Sequence, residues 1–203
     1  MPKEGGYNTR RTALTPRMLI PIIAVAIRVL YVLVEFPYLL GNRIQTKQKW
    51  DKHSAKLWDA ANAIEVAGMI LGFAGIGRMQ TTPGATGLVG LMFLVLGYAI
   101  RATAILTLGK YFTGVVVIKN DHQLIRTGPY RYLRHPAYTG TLLAHLGLGL
   151  AFANWFSLLF STVPFLLAAM YRMRVEERAV AETFGAEYST YCETSKRLIP
   201  GVY

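Results

Sequence analysis

Gly128-Pro129-Tyr130-Arg131-Tyr132-Leu133-Arg134-His135-Pro136 is a polar, basic run set between long apolar segments. The chain around it has 203 residues, of which 53% are hydrophobic, and a mean hydropathy of +0.31. A water-soluble domain of this size rarely sustains such hydropathy. The apolar residues also fall in blocks, which is the pattern of a polytopic membrane protein. Polar and ionisable clusters at membrane depth are costly and usually functional. The run therefore reads as a loop between spans with a task of its own.

Working outward, the apolar blocks give five candidate spans: Met18–Leu40, Leu57–Gly77, Gly84–Leu108, Tyr138–Phe152 and Trp155–Met173. At 1.5 Å per residue the first three are long enough to cross a bilayer. The last two are shorter, are joined at Asn154 and read as a tight helical hairpin. The expected fold is all-α: a single integral membrane domain over 1–203 with about five transmembrane helices and a C-terminal amphipathic helix. Residues 1–108 hold three spans, and 109–203 hold the polar loop, the hairpin and that last helix. After Arg174, Phe184, Tyr188 and Tyr191 recur at spacings of four and three, as on one helical face. That helix either lies on the membrane surface or, the better reading, forms a lid or wall on the cytoplasmic ends of the spans, with Pro200 stopping it. Met1–Arg17 is basic and precedes an apolar stretch, but the stretch is too long for a signal peptide and no cleavage pattern follows Leu40.

Basic residues set the orientation. Five lie in Gly41–Lys56, one in Arg78–Pro83, five in Gly109–Ala137, none at Ala153–Asn154 and five from Arg172 onward. This places the Gly109–Ala137 loop and the C-terminus in the cytoplasm. Five spans then put the N-terminus outside, against which its four basic residues count. The net charge of +11 lies in these loops, so nucleic acid is not the expected partner. Gly68 and Gly72 have the spacing for close helix approach within the chain. Arg28, Glu35, Glu65 and Arg101 lie inside or near the ends of spans. Glu65 and Arg101 are the more central and are expected to face a partner or a cavity.

Several chemistries are excluded. Cys192 is the only cysteine, so no disulfide forms within the chain. His53, His122, His135 and His145 are scattered, and no metal is expected. Gly72, Gly75 and Gly77 do not make a dinucleotide fingerprint. Neither a Gly-x-Ser-x-Gly elbow nor a phosphate-binding loop is present.

What remains is His122-Gln123-Leu124-Ile125, then Gly128-Pro129-Tyr130, then Arg134 through Gly140. Pro129 and Pro136 stiffen the backbone, and Gly128 and Gly140 permit tight turns or close approach. Tyr130, Tyr132 and Tyr138 offer aromatic faces that suit an adenine ring or, by cation–π attraction, a sulfonium. The plainer reading is an aromatic-basic belt at the membrane surface. Downstream, Arg172 and Glu176 stand four apart where a span ends. They form either an ordinary helix salt bridge or, with Glu177, a site for a cationic ligand beside an anion clamp.

The stretch from about Leu108 to Pro200 resembles the isoprenylcysteine carboxyl methyltransferase family. The matching pattern is His122 through Tyr130, Arg134 through Gly140, Asn154, Arg172 with Glu176-Glu177, Phe184-Gly185-Ala186-Glu187-Tyr188, Tyr191, and Arg197 with Pro200. The first hundred residues match only in hydropathy. The resemblance implies an S-adenosyl-L-methionine site lined by His122, Gln123, Leu124, Ile125, Gly128, Tyr130, His135, Pro136, Ala137, Tyr138, Glu176 and Glu177. Glu176 would hold the cofactor's amino group or offset its charge, Arg172 would face the acceptor, and Arg197 would be a second anion clamp. The implied reaction is methyl transfer to the carboxylate of a lipophilic, prenylcysteine-like acceptor, a small molecule or a prenylated protein, reached through the membrane lipid. The active site would face the cytoplasm from the endoplasmic reticulum or a bacterial inner membrane. A carboxylate is ionised at neutral pH and needs no base, whereas an amine must first lose a proton. Phospholipid N-methylation, a sterol-reductase-like enzyme and a non-enzymatic scaffold are the alternatives.

Overall fold

The computed structural model describes residues 15–41, 53–113, 123–199 and 201. Among the described residues six helices follow in order: α1 (Pro16–Gly41), α2 (Ser54–Ala74), α3 (Pro83–Leu108), α4 (Pro136–Ala151), α5 (Trp155–Phe184) and α6 (Ala186–Thr194). Short 3-10 turns at Gly109–Tyr111 and Gly128–Arg131 bracket the polar loop. Helices α1, α2, α3 and α5 are long and apolar enough to cross a membrane. Helix α4 has 16 residues, short of the ~20 that a full crossing takes. It is the most enclosed helix, with Ala144, Leu148 and Ala151 almost wholly buried. In contrast, α1 turns Leu30, Leu33 and Val34 outward, as a lipid-facing helix does. The chain is an integral, multi-pass membrane protein.

Helices α3 and α4 pack backbone to backbone. A Cβ on Gly97 would lie 2.4 Å from Ala144 N, and one on Gly90 would lie 2.3 Å from Ala151 N. Small residues let helices meet this closely where lipid offers no hydrophobic drive. Gly68 does the same for α2 against α5: its Cβ would come within 2.7 Å of Phe160 Cβ, and Ser157 Oγ donates to Gly68 O at 2.9 Å. The Gly68/Gly72 pair thus serves packing within the chain.

The α4–α5 turn is held from both sides. Asn154 caps α5 by accepting from Ser157 N at 3.1 Å and donates through Nδ2 to Ile76 O at 2.7 Å. Met79 N bonds Ala153 O and Trp155 N bonds Gly77 O, both at 2.9 Å. The hairpin tip and the α2–α3 turn are therefore one unit.

Two expectations are corrected. The last span does not stop at Met173: α5 runs 30 residues to Phe184, about 45 Å at 1.5 Å per residue. That exceeds the ~30 Å hydrocarbon core, so its charged end projects beyond it. No separate amphipathic helix begins after Arg174. The break comes at Gly185, with φ +50°, and α6 follows. Phe184 lies on α5, while Tyr188 and Tyr191 lie on α6, so the three do not share one helical face. Pro200 lies outside the described residues.

The charges inside the bundle find partners. Glu65 meets His145 Nδ1 at 2.5 Å and Arg28 Nη2 at 3.4 Å, and Arg28 also donates to Asn62 Oδ1 at 3.0 Å. Arg101 donates through Nε (3.0 Å) and Nη2 to the two oxygens of Glu35, and through Nη1 to Thr141 Oγ1 at 2.8 Å. Between these networks Tyr31 stacks on Tyr98 at 3.9 Å. Pairing is what makes such groups tolerable at this depth.

Candidate active site

The two prolines of the polar loop place its side chains. Pro129 is the second residue of the 3-10 turn and Pro136 the first of α4, positions in the first turn where a missing N–H costs nothing. Gly128 has φ +57° and lies over Thr107, whose Oγ1 would be 3.2 Å from an added Cβ. A side chain there would meet both backbone strain and crowding. Tyr130 thereby points inward, and His135, Ala137 and Tyr138 face the projecting end of α5.

The C-terminal tail locks this loop. Arg134 N donates to Lys196 O at 2.7 Å, His135 N to Arg197 O at 3.1 Å, and Lys196 N to Tyr132 O at 3.0 Å. Thr139 Oγ1 reaches Leu198 O at 2.7 Å. Tyr191 OH, on α6, donates to Tyr130 O at 2.6 Å. Burial pushes the Tyr191 phenol up to about 12, so it remains a neutral donor at physiological pH. Burial raises the Tyr130 phenol as well, which keeps a neutral hydroxyl in the site wall.

These elements enclose a cavity of about 280 Å³. Gln123, Leu124, Ile125 and Tyr130 form one wall, and His135, Ala137 and Tyr138 another. Arg172, Glu176 and Glu177 come from α5, and Tyr188 and Tyr191 from α6. Trp58 of α2 and Arg101 and Leu108 of α3 complete it on the side of the bundle. Ten of the residues expected to hold a ligand therefore meet in one place.

The two adjacent carboxylates differ. Glu176 accepts from Tyr138 OH at 2.6 Å and from Arg172 Nε at 3.2 Å, yet its side chain keeps 26% of its exposure. Glu177 is 13% exposed and lies between two arginines and a histidine. Arg197 donates to both its oxygens (3.0 and 2.5 Å), and His135 Nε2 lies 3.2 Å and Arg134 Nε 3.4 Å away. Arg134 continues to Ser195 O at 2.5 Å. Glu177 thus ties the loop, α5 and the tail together, while Glu176 faces the cavity. Arg172 and Glu176 are both a helix salt bridge and part of the cavity wall.

Some expected residues are placed elsewhere. Arg197 does not line the cavity, because its guanidinium is forked onto Glu177. Pro136 is fully buried behind the wall as the first residue of α4, and Gly128 sits over Thr107; both shape the site without lining it. His122 lies outside the described residues. Among the wall residues not singled out as site members are Trp58, Leu108, Arg101, Tyr188 and Tyr191. Arg101's central position in an apolar helix was a signal for it, and the recurring tyrosines were a signal for the α6 wall. Nothing in the sequence marked Trp58, which is brought in by its contacts with Tyr138 and Phe165.

Residues 89–182 match the model of the isoprenylcysteine carboxyl methyltransferase (ICMT) family. A probable protein-S-isoprenylcysteine O-methyltransferase of Oryza sativa subsp. indica is 35% identical over 107 residues, covering 52% of this chain and 56% of that protein. Protein-S-isoprenylcysteine O-methyltransferase A of Arabidopsis thaliana is 34% identical over 116 residues, covering 56% and 58%. The Saccharomyces cerevisiae protein-S-isoprenylcysteine O-methyltransferase is 35% identical over 105 residues, covering 51% and 44%. The matches thus span roughly half the length of these curated relatives. The solved structure of the eukaryotic intramembrane Ras methyltransferase ICMT superposes with a TM-score of 0.71 at 23% identity, over 94% of this chain and 70% of that one, and so shares its fold. The segment matched by the family model carries Tyr130, His135, Tyr138, Arg172 and Glu176 of the cavity wall, and over that segment the chain is similar to the isoprenylcysteine carboxyl methyltransferase family.

Proposed function

We propose that this protein transfers a methyl group from S-adenosyl-L-methionine to the carboxylate of a lipophilic, prenylcysteine-like acceptor. The observation that carries the reading is the composition of the cavity wall: an open carboxylate, Glu176, stands among tyrosine faces on one side, with Arg172 and Arg101 close by. The names of the relatives, all isoprenylcysteine O-methyltransferases among those cited above, support the carboxylate over an amine acceptor.

The residues present suit the cofactor's chemistry. Glu176 is partly exposed and carries acceptor capacity toward a cationic group. Tyr130 and Tyr138 supply faces for an aromatic ring or a sulfonium. Gln123, Leu124 and Ile125 supply a strip of backbone and side chain alongside. The bound cofactor supplies an already activated methyl group. The protein's part is then to hold the acceptor in line and keep water out. Tyr138 OH and Arg172 fix the Glu176 carboxylate, and Arg172 and Arg101 orient the acceptor's carboxylate. Its lipid tail enters from the bilayer between helices, while the soluble cofactor comes from the aqueous side, the cytoplasm in the orientation set by the basic loops. A prenylated protein or a free prenylcysteine-like acid fits this division, in the endoplasmic reticulum or in a bacterial inner membrane.

Calorimetric titration of the detergent-purified protein with S-adenosylhomocysteine, and in parallel with NADPH, tests the reading. Saturable binding of S-adenosylhomocysteine alone is the expected result. Binding of NADPH alone moves the site to reductase chemistry, and binding of neither removes the enzymatic reading.

A further inference from the structure

Helix α1 lies outside the family-matched segment 89–182, yet it sends one acidic side chain to Arg101 of the cavity wall. Glu35 is 11% exposed and is the one acidic residue of the mainly apolar α1. Both of its oxygens accept from Arg101, one from Nε at 3.0 Å and the other from Nη2. Thr141 Oγ1 takes the third nitrogen, Nη1, at 2.8 Å. The ring of Phe112, also in the cavity wall, has its centroid 5.9 Å from the guanidinium carbon. Arg101 therefore meets the cavity as half of a bidentate, neutral pair rather than as a bare cation.

That neutrality matters for the reaction proposed above, on which this inference rests. In the transfer, an acceptor carboxylate oxygen uses a lone pair to form the O–CH3 bond. The S–CH3 bond breaks, and its electron pair stays on sulfur. One negative and one positive charge vanish together, so the carboxylate carries less charge in the transition state than before it. A bare cation beside that oxygen holds the ground state more tightly than the transition state and slows the step, because only interactions stronger in the transition state accelerate it. We propose that Glu35 is a positioning residue: it fixes the plane of Arg101 and offsets its charge, so that Arg101 orients the acceptor carboxylate without over-binding it.

The test uses the full-length protein, with N-acetyl-S-farnesylcysteine as acceptor and its methyl ester as the uncharged product. Glu35→Gln keeps the shape and removes the charge. The expected result is about tenfold tighter binding of the acid, measured with S-adenosylhomocysteine present and no turnover, and a kcat about tenfold lower. Affinity for the ester and for S-adenosylhomocysteine is expected to stay unchanged. A role limited to holding α1 in place predicts the opposite split, with KM raised and acid and ester weakened alike. That outcome, or an unchanged acid affinity, overturns the proposal. Glu35→Asp, which retains the charge, is expected to keep the acid-to-ester affinity ratio of the unaltered protein. If the Gln variant does not accumulate, a tenfold shift of that ratio in Glu35→Asp overturns the proposal instead. An unaltered protein that binds S-adenosylhomocysteine and esterifies the acid while Glu35→Gln changes nothing defeats this inference alone. An unaltered protein that does neither defeats the proposed function and this inference with it.

Discussion

Replacing Glu177 by Gln separates the two neighbouring carboxylates of the site. Glu177 accepts from Arg197 at 3.0 and 2.5 Å and has His135 and Arg134 at 3.2 and 3.4 Å. Gln keeps the length of the side chain and one acceptor oxygen. It removes the charge that these groups share and brings an N–H₂ donor up against donors. Removing one partner of a buried ion pair costs about 3–5 kcal/mol. Glu177 is 13% exposed and Arg197 33% exposed, so solvent screens part of this, and about 3 kcal/mol is the expected loss. For a chain of this size each kcal/mol moves the melting temperature by about 2–4 °C, which gives a fall of about 6–12 °C. The tail and loop are expected to loosen first, because Glu177 joins them to α5. The assay is thermal unfolding in detergent, with amide hydrogen exchange at Tyr132, Arg134 and Lys196 as the local readout. Glu176→Gln is the control. It leaves that junction intact and is expected to shift melting by no more than about 2 °C while weakening S-adenosylhomocysteine about tenfold or more, the value of one charge-assisted hydrogen bond. If the Glu177 variant melts like the unaltered protein and loses ligand instead, the assignment of the two carboxylates is refuted.

Three further outcomes are expected. Arg172→Ala leaves S-adenosylhomocysteine affinity within about threefold, since Tyr138 still holds Glu176, but lowers turnover of an anionic acceptor by about a hundredfold; normal turnover sinks its acceptor role. Gly97→Val forces the α3 and α4 backbones apart, with a cost of about 1–3 kcal/mol or more, and should appear as poor accumulation or a lowered melting temperature. A melting temperature equal to that of the unaltered protein argues against the close contact. Tyr191→Phe loses the bond to Tyr130 O, worth about 1 kcal/mol, and alters the alkaline limb of stability. The folded phenol is raised to about 12 from its ordinary 10.0, so its contribution is complete below pH 10 and is lost as pH rises from 10 toward 12. The Phe variant should therefore lose stability less steeply over that range, and parallel curves speak against a buried Tyr191.

The division between sequence and tertiary structure follows the range of the forces involved. Apolar blocks of spanning length, prolines at helix starts and the i,i+4 spacing of Arg172 and Glu176 are local signals. They are legible because helix geometry turns spacing directly into position. They located α1, α2 and α3, the α4–α5 hairpin and most of the cavity wall. Local signals fell short where charge resumed: the run after Met173 looks like a new surface helix, yet α5 continues through it. Hydropathy reports where lipid ends, whereas helix propagation depends only on the next backbone hydrogen bond. Pairings across long sequence distances are invisible to periodicity. Glu35 and Arg101 are 66 residues apart, and Glu65 and His145 are 80 apart. Glu176 and Glu177 are neighbours with the same side chain and both reach the cavity wall, yet the 100° turn between successive helical residues leaves one more open and sets the other against Arg197, Arg134 and His135. The sequence by itself determined that this is a helical membrane protein with a polar loop facing an Arg-Glu pair, because those facts are written in local composition and spacing. Only the packing of α1 against α3 and of the C-terminal tail against that loop decided which carboxylate is the more open, which arginines are held, and that Arg101 belongs to the site.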